Sequence, residues 1–135
     1  MIEIAIDGTA ASGKGTLGKK LSNKYNFPYL DTGILYRKVA FHIIKEQLNY
    51  TSDLEKQCCD FARNLILEEF KNENLRTEIV AKLASKIATF PNLRKILNNK
   101  QKEFNNINKK KYGGCILDGR DIGTIILPNA DFKFF

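Results

Sequence analysis

The run Gly8-Thr9-Ala10-Ala11-Ser12-Gly13-Lys14-Gly15-Thr16 limits this chain more than any other feature. Before it stands Ile2-Glu3-Ile4-Ala5-Ile6-Asp7, a short apolar stretch with the look of a buried strand. After it comes Leu17-Gly18-Lys19-Lys20-Leu21, whose leucines are one helical turn apart. Strand, glycine-rich loop and helix, in that order, are the setting in which G-x-x-x-x-G-K reads as a phosphate cradle. The glycines let the backbone curl so that successive N–H groups point inward. The following helix adds its own unpaired N–H groups and positive dipole end. Lys14 is then placed to reach the outer phosphates of a nucleoside triphosphate. A Ser or Thr directly after the lysine ordinarily faces a magnesium ion. Here that place is Gly15 and the hydroxyl comes one residue later, at Thr16. A glycine-rich turn without a ligand is the competing reading.

At 135 residues the chain has the length of one domain, small for a complete nucleotide-binding α/β enzyme. No apolar run approaches membrane-spanning length, and the N-terminus reads as a core strand rather than a signal peptide. A cytoplasmic protein with no membrane partner is expected. The net charge of +7 comes mostly from lysines scattered among asparagines. That pattern fits solvated faces, and no aromatic-plus-basic platform supports nucleic-acid binding. Cys58 and Cys59 are adjacent, which is not a zinc or thioredoxin-type spacing, and Cys115 lies in an expected strand. All three read as reduced structural residues. His42, the only histidine, sits in the apolar stretch Val39-Ala40-Phe41-His42-Ile43-Ile44 and reads as a packed residue.

Along the chain, the first helix should end near Tyr25, before Asn26-Phe27-Pro28. Tyr29-Leu30-Asp31 reads as a brief second strand closed by Thr32-Gly33. A helix over 34–48 follows, with Leu35, Val39, Ile43 and Ile44 on one face. Ser52-Asp53-Leu54-Glu55 has capping-box spacing and opens a helix through Phe61 and Leu65. Residues 68–76 read as a polar connector. From about Leu75 an apolar stripe runs through Val80, Leu83, Ala84, Ile87 and Ala88. Pro91 suits the first turn of another helix, whose inward face is Leu93, Ile96, Leu97 and Phe104. The basic, asparagine-rich stretch 105–111 reads as a solvated loop. The third strand is Gly113-Gly114-Cys115-Ile116-Leu117-Asp118, and Phe132-Lys133-Phe134-Phe135 begins a fourth. A parallel α/β domain seldom stops inside a strand, so a C-terminally truncated domain is expected.

Phosphoryl transfer needs positioning and charge neutralisation more than covalent chemistry. The chain offers a phosphate cradle, an acid at a strand end (Asp118) that could hold magnesium through water, and Arg37, Arg94 and Arg120. Arginine is scarce, five against seventeen lysines. Guanidinium kept at a few positions in a lysine-rich chain suits bidentate phosphate or base recognition. Ordinary surface ion pairs are the competing reading.

Four stretches carry a resemblance to the bacterial cytidylate kinases, nucleoside monophosphate kinases that move the terminal phosphoryl of ATP to CMP or dCMP. They are Ile6-Asp7-Gly8 through Gly15-Thr16, Leu30-Asp31-Thr32-Gly33-Ile34-Leu35-Tyr36-Arg37, Ala84-Ser85 with Phe90-Pro91-Asn92-Leu93-Arg94, and Asp118-Gly119-Arg120-Asp121-Ile122-Gly123-Thr124. The loop alone would suit many kinases; the Asp-Gly-Arg-Asp-x-Gly-Thr string downstream of Asp-Thr-Gly-x-x-Tyr-Arg is far more specific. The resemblance implies a P-loop nucleoside monophosphate kinase fold, α/β, a parallel sheet flanked by helices with strand order 2-3-1-4-5 and the fifth strand absent. It implies one incomplete domain over 1–135, with a core of 1–48 and 113–135 and a monophosphate-recognition helical segment over 49–112.

Position by position, the resemblance implies that residues 8–16 hold the ATP phosphates, with Lys14, Arg37 and Arg120 acting in catalysis. Arg37 and Arg120 would grip the CMP phosphate. Ser85, Arg94 and Asp121 would read cytosine, with Thr32 close to the acceptor nucleoside. Asp118 and Thr16 are the candidates for Mg2+. ATP and CMP or dCMP are the implied partners of a monomer. Longer members of the family carry a small β-sheet insert where this chain has the shorter segment 52–76. The family's arginine-bearing lid, ribose contacts, adenine-binding loop and last strand lie beyond Phe135. Losing lid arginines can lower the rate roughly a thousandfold, by analogy with arginine fingers, so negligible turnover is expected of residues 1–135 alone. A gene remnant or clipped sequence that at most binds nucleotide, and a kinase for UMP, AMP or dTMP, are the alternatives.

Overall fold

The computed structural model describes residues 1–8, 14–46, 53–67 and 75–135, without the side chain of residue 14. Within them, β1 (Ile2–Asp7), β2 (Tyr29–Asp31), β3 (Gly114–Gly119) and β4 (Phe132–Phe134) form one sheet in the order β2-β3-β1-β4. Every neighbouring pair is parallel, and the order agrees with the expected 2-3-1-4 succession. β3 lies between β1 and β2, and all six of its residues are buried. A strand covered in this way reads as a continuous run rather than an alternating one, as Cys115-Ile116-Leu117 does.

The chain divides into two compact units, Met1–Gly33 with Gln101–Phe135, and Ile34–Lys100. In the strand-bearing unit, α1 (Lys14–Tyr25) turns Leu17 and Leu21 toward Ile4, Ile6 and Ile116. Asn26 follows it at φ 57, the left-handed step that asparagine tolerates after a helix. Phe27 and Tyr29 complete that cluster.

The helical unit holds the rest of α2 (Gly33–Lys45), α3 (Leu54–Arg63), α4 (Glu78–Ile87) and the first turns of α5 (Pro91–Tyr112). Its core joins Leu35, Val39 and Ile43 of α2, Leu54, Cys58 and Ala62 of α3, Val80, Leu83 and Ile87 of α4, and Leu93 and Leu97 of α5. Each fully buried leucine or isoleucine contributes about 1.5–3 kcal/mol relative to exposure. His42 stacks on Phe61 with ring centroids 3.9 Å apart, as a packed histidine.

Three local expectations differ from the structure. α4 starts at Glu78, where the Thr77 hydroxyl accepts the Val80 N–H, rather than near Leu75. Asp53 is the cap of α3 and makes no side-chain cap bond, while the Glu55 carboxylate accepts the N–H of Asn92 at 3.0 Å. Ser52, the other half of the expected box, lies outside the described residues, as do 47–48 at the expected end of the second helix and most of the 68–76 connector.

The largest difference is 105–111, which is helix and not loop: α5 continues unbroken to Tyr112. Asn105 is buried there and its Nδ2 donates to Glu3 Oε2 at 2.5 Å; Lys109 Nζ reaches the same oxygen at 2.8 Å. Tertiary contacts to β1 override the weak helix propensity of asparagine. Gly113, at φ 83, ends the helix with its N–H on the Lys109 carbonyl.

Candidate nucleotide site

Parallel register brings the carboxyl ends of three strands to one edge of the sheet. Asp7 pairs with Gly119, and Asp118 lies between Ile6 and Asp31. In open α/β sheets ligands bind outside these ends. The Gly8 N–H donates to the Gly119 carbonyl at 3.1 Å, so the chain enters the glycine-rich loop tied to the end of β3. It leaves that loop at Lys14, the start of α1. Residues 9–13 and the Lys14 side chain, the centre of the expected cradle, lie outside the described residues. Gly15 is half-buried, and Thr16 is exposed on the first turn of α1.

Asp118 is fully buried, and the Tyr29 hydroxyl donates to its Oδ2. Thr32 is buried beside it. Its N–H and its hydroxyl both donate to the Asp118 carbonyl, at 2.9 and 2.8 Å. Gly119 allows this crowding: at φ 156, a Cβ there would stand 1.9 Å from Thr32 Oγ1. Arg120 and Asp121 then emerge from β3 as exposed residues.

The backbone after β3 is unusual. Asp121 takes a left-handed conformation, φ 58 and ψ 26, and caps a single turn of π-helix, Ile122–Ile126. A non-glycine residue there costs about 1–2 kcal/mol, and π turns often mark functional sites. Asp7 holds the turn. Its Oδ1 accepts the Ile122 N–H at 2.7 Å and its Oδ2 the Gly123 N–H at 2.9 Å. No motif spacing in the sequence singles out this carboxylate. The one signal the sequence offers is an acid at the last position of a strand whose other residues, Glu3 apart, are apolar.

The remaining candidates belong to the helical unit. Arg37 is half-buried on α2, Ser85 exposed on α4, and Arg94 exposed on the first turn of α5. All three helices send neighbouring residues into one core: Leu35 and Val39, Ala84 and Ile87, Leu93 and Leu97. The structure therefore gathers Thr32, Asp118, Arg120 and Asp121 at strand ends of one unit, and Arg37, Ser85 and Arg94 on packed helices of the other.

The cysteines are buried and unlinked. Burial, then the neighbouring Cys59 and Glu55, pushes the Cys58 thiol up to about 12. Burial likewise raises Cys115 to about 12 and shifts Cys59 upward. Thiols held protonated in this way are poor nucleophiles and poor ligands. Among the described residues no group of three or more His, Cys, Asp or Glu side chains could hold a metal ion, and no helix is long and apolar enough to cross a membrane.

The sheet order, the strand–loop–helix entry and the acids at the strand ends define a nucleoside monophosphate kinase fold. The cytidylate kinase family model matches residues 4–135. The chain is 46% identical over 132 residues to a cytidylate kinase of Bartonella bacilliformis, covering 98% of this chain and 59% of that protein. It is 46% identical over 134 residues to one of Afipia carboxidovorans, covering 98% of this chain and 60% of that protein. It is 43% identical over 134 residues to one of Bradyrhizobium diazoefficiens, covering 98% of this chain and 59% of that protein. The chain belongs to the cytidylate kinase family, and spans about 59% of the length of the curated relatives it matches.

Proposed function

We propose that this chain carries the nucleotide-recognition part of an ATP:CMP or ATP:dCMP phosphotransferase working in the cytoplasm. The family match over nearly every residue carries the reading. The convergence of Asp7, Asp118 and Gly119 at one edge of the parallel sheet supports it. In the reaction, an oxygen of the CMP phosphate bonds to the γ-phosphorus of ATP as the bond to the β-bridging oxygen breaks. ADP leaves and CDP forms. The attacking group is already an anionic oxygen, so positioning and charge neutralisation carry the catalysis.

In this reading the backbone of residues 8–16 and Lys14 bind the ATP phosphates, and Arg37 and Arg120 neutralise the CMP phosphate. Ser85, Arg94 and Asp121 meet the cytosine. A carboxylate or hydroxyl accepts from its exocyclic amine while a guanidinium donates to its ring acceptors. Thr32 lines the acceptor end, its hydroxyl hydrogen committed to the Asp118 carbonyl. The donor set fits magnesium held mainly by phosphates and water, which is that ion's habit. Asp118 stands at the strand ends with its carboxylate accepting from Tyr29, and Thr16 offers an exposed hydroxyl. These two would hold the ion, which supplies charge neutralisation on the phosphates.

Calorimetric titration of the 135-residue chain with Mg·ATP and CMP tests the reading, and binding of both is expected. Protection by UMP, AMP or dTMP in place of CMP would transfer the chain to another acceptor. Assayed alone in a coupled assay, it is proposed to show negligible turnover. The resemblance assigns the lid arginines to a part of the relatives that this chain does not span. Near-normal turnover would refute that expectation.

A further inference from the structure

We infer that Asp7 is a positioning residue for acceptor recognition, tying the entry of the phosphate loop to the turn that carries Arg120 and Asp121. The inference rests on the reading that Arg120 and Asp121 contact CMP.

Asp7 is the last residue of β1 and immediately precedes Gly8. Its two carboxylate oxygens are spent on two consecutive N–H groups, those of Ile122 and Gly123, more than a hundred residues away in sequence. Bonds from backbone N–H groups to a carboxylate are roughly twice as strong as neutral ones. They act on the residues immediately after Asp121, whose left-handed backbone is unfavourable unless its surroundings impose it. The Gly8 N–H on the Gly119 carbonyl fixes the same segment from its other side. Arg120 and Asp121 thus lie between two anchors, both provided by the residues that open the phosphate loop. Gly123 confirms how close the clasp is: a Cβ there would stand 3.1 Å from Asp7 Oδ2 and 3.2 Å from Lys133 Cδ. The Asp7 carboxylate need not touch a nucleotide to decide how well the acceptor is read.

Asp7→Asn keeps the size of the side chain but has one acceptor oxygen, leaving an amide group facing one of the two N–H donors. Hydrogen exchange should quicken by about tenfold or more at Ile122 and Gly123, the scale of a lost bond to a charged group, while β3 stays protected. In the same chain, CMP affinity should fall about tenfold and the preference for CMP over UMP should narrow. Gly123→Ala disturbs the clasp without altering Asp7, and should move both readouts the same way by less; it carries the test if Asp7→Asn does not fold. Retained protection at Ile122 and Gly123 would overturn the inference. So would lost protection with an unchanged CMP-over-UMP preference. A wild-type chain that does not bind CMP would sink the acceptor reading itself and this inference with it. Wild-type binding with unaltered variants would sink the inference alone.

Discussion

Residues 118–126 and residues 77–97 both carry candidate nucleotide contacts, and different forces hold them. The first segment has no amphipathic periodicity. Besides burying Ile122 and Ile126, it is fixed by long-range polar contacts: Gly8 on Gly119, Thr32 on Asp118, and Asp7 on Ile122 and Gly123. The second is two helices set by an apolar stripe, with a hydroxyl cap at Thr77 and one carboxylate contact from Glu55. Polar anchoring to a rigid sheet suits residues that must be placed to a fraction of an ångström. Apolar packing of short helices tolerates adjustment of the exposed side chains it presents.

Breaking the polar frame at its tightest point should give the largest effect. Gly119→Ala introduces a Cβ into the space of Thr32 Oγ1 at a left-handed backbone position. Strain and overpacking together should destabilise the chain by roughly 4 kcal/mol, read by urea denaturation. A loss under about 1 kcal/mol would show that close approach does not hold this segment. The matching cut in the helical unit is Leu93→Ala. Leu93 is wholly buried beside Arg94, and the substitution should cost about 3 kcal/mol. Hydrogen exchange should place the loss in α4 and α5 while protection at Ile122 and Gly123 persists. Equal loosening of both segments would mean that they are not held separately.

The same contrast explains what was legible in the sequence. β1, the three-residue β2 and α4 announce themselves by apolar runs, the Pro28 punctuation and the 80-83-84-87 stripe, which are local signals. The Asp-Gly-Arg-Asp string was visible as spelling, but not the π turn it opens, because no period or propensity marks such a turn. In the sequence Asp7 is only the end of a strand, since its partners are set by sheet register and not by spacing. The second half of α5 is hidden for the same reason: the asparagine-rich spelling argues against helix, and the contacts of Asn105 and Lys109 to Glu3 that favour it are long-range. The spacing of Glu55 suits a local cap, yet its carboxylate serves another helix.

Smaller effects sharpen the helical side. Thr77→Ala removes the hydroxyl that accepts the Val80 N–H at 3.3 Å. A lost N-cap costs about 1 kcal/mol, so the denaturation midpoint should fall modestly, with fraying confined to the first turn of α4. Retention of the full midpoint would show that packing alone sets where α4 begins.

The smallest expected effect separates the two carboxylates. Glu55 serves one N–H, that of Asn92, through one oxygen in an exposed setting. Glu55→Gln leaves a carbonyl oxygen able to accept that bond and removes only the charge near the start of α5. The stability change should therefore stay within about 0.5 kcal/mol, and CMP affinity should stay within about twofold, since RT ln 2 is small beside any lost charged bond. Asp7 has no such latitude, because its two donors meet separate oxygens, Oδ1 and Oδ2, and an amide puts an acceptor in only one of those places. If Glu55→Gln lowered CMP affinity as far as Asp7→Asn, charge rather than the number of acceptors would be what both carboxylates provide. The distinction between a clasped turn and a packed helix would then have to be given up.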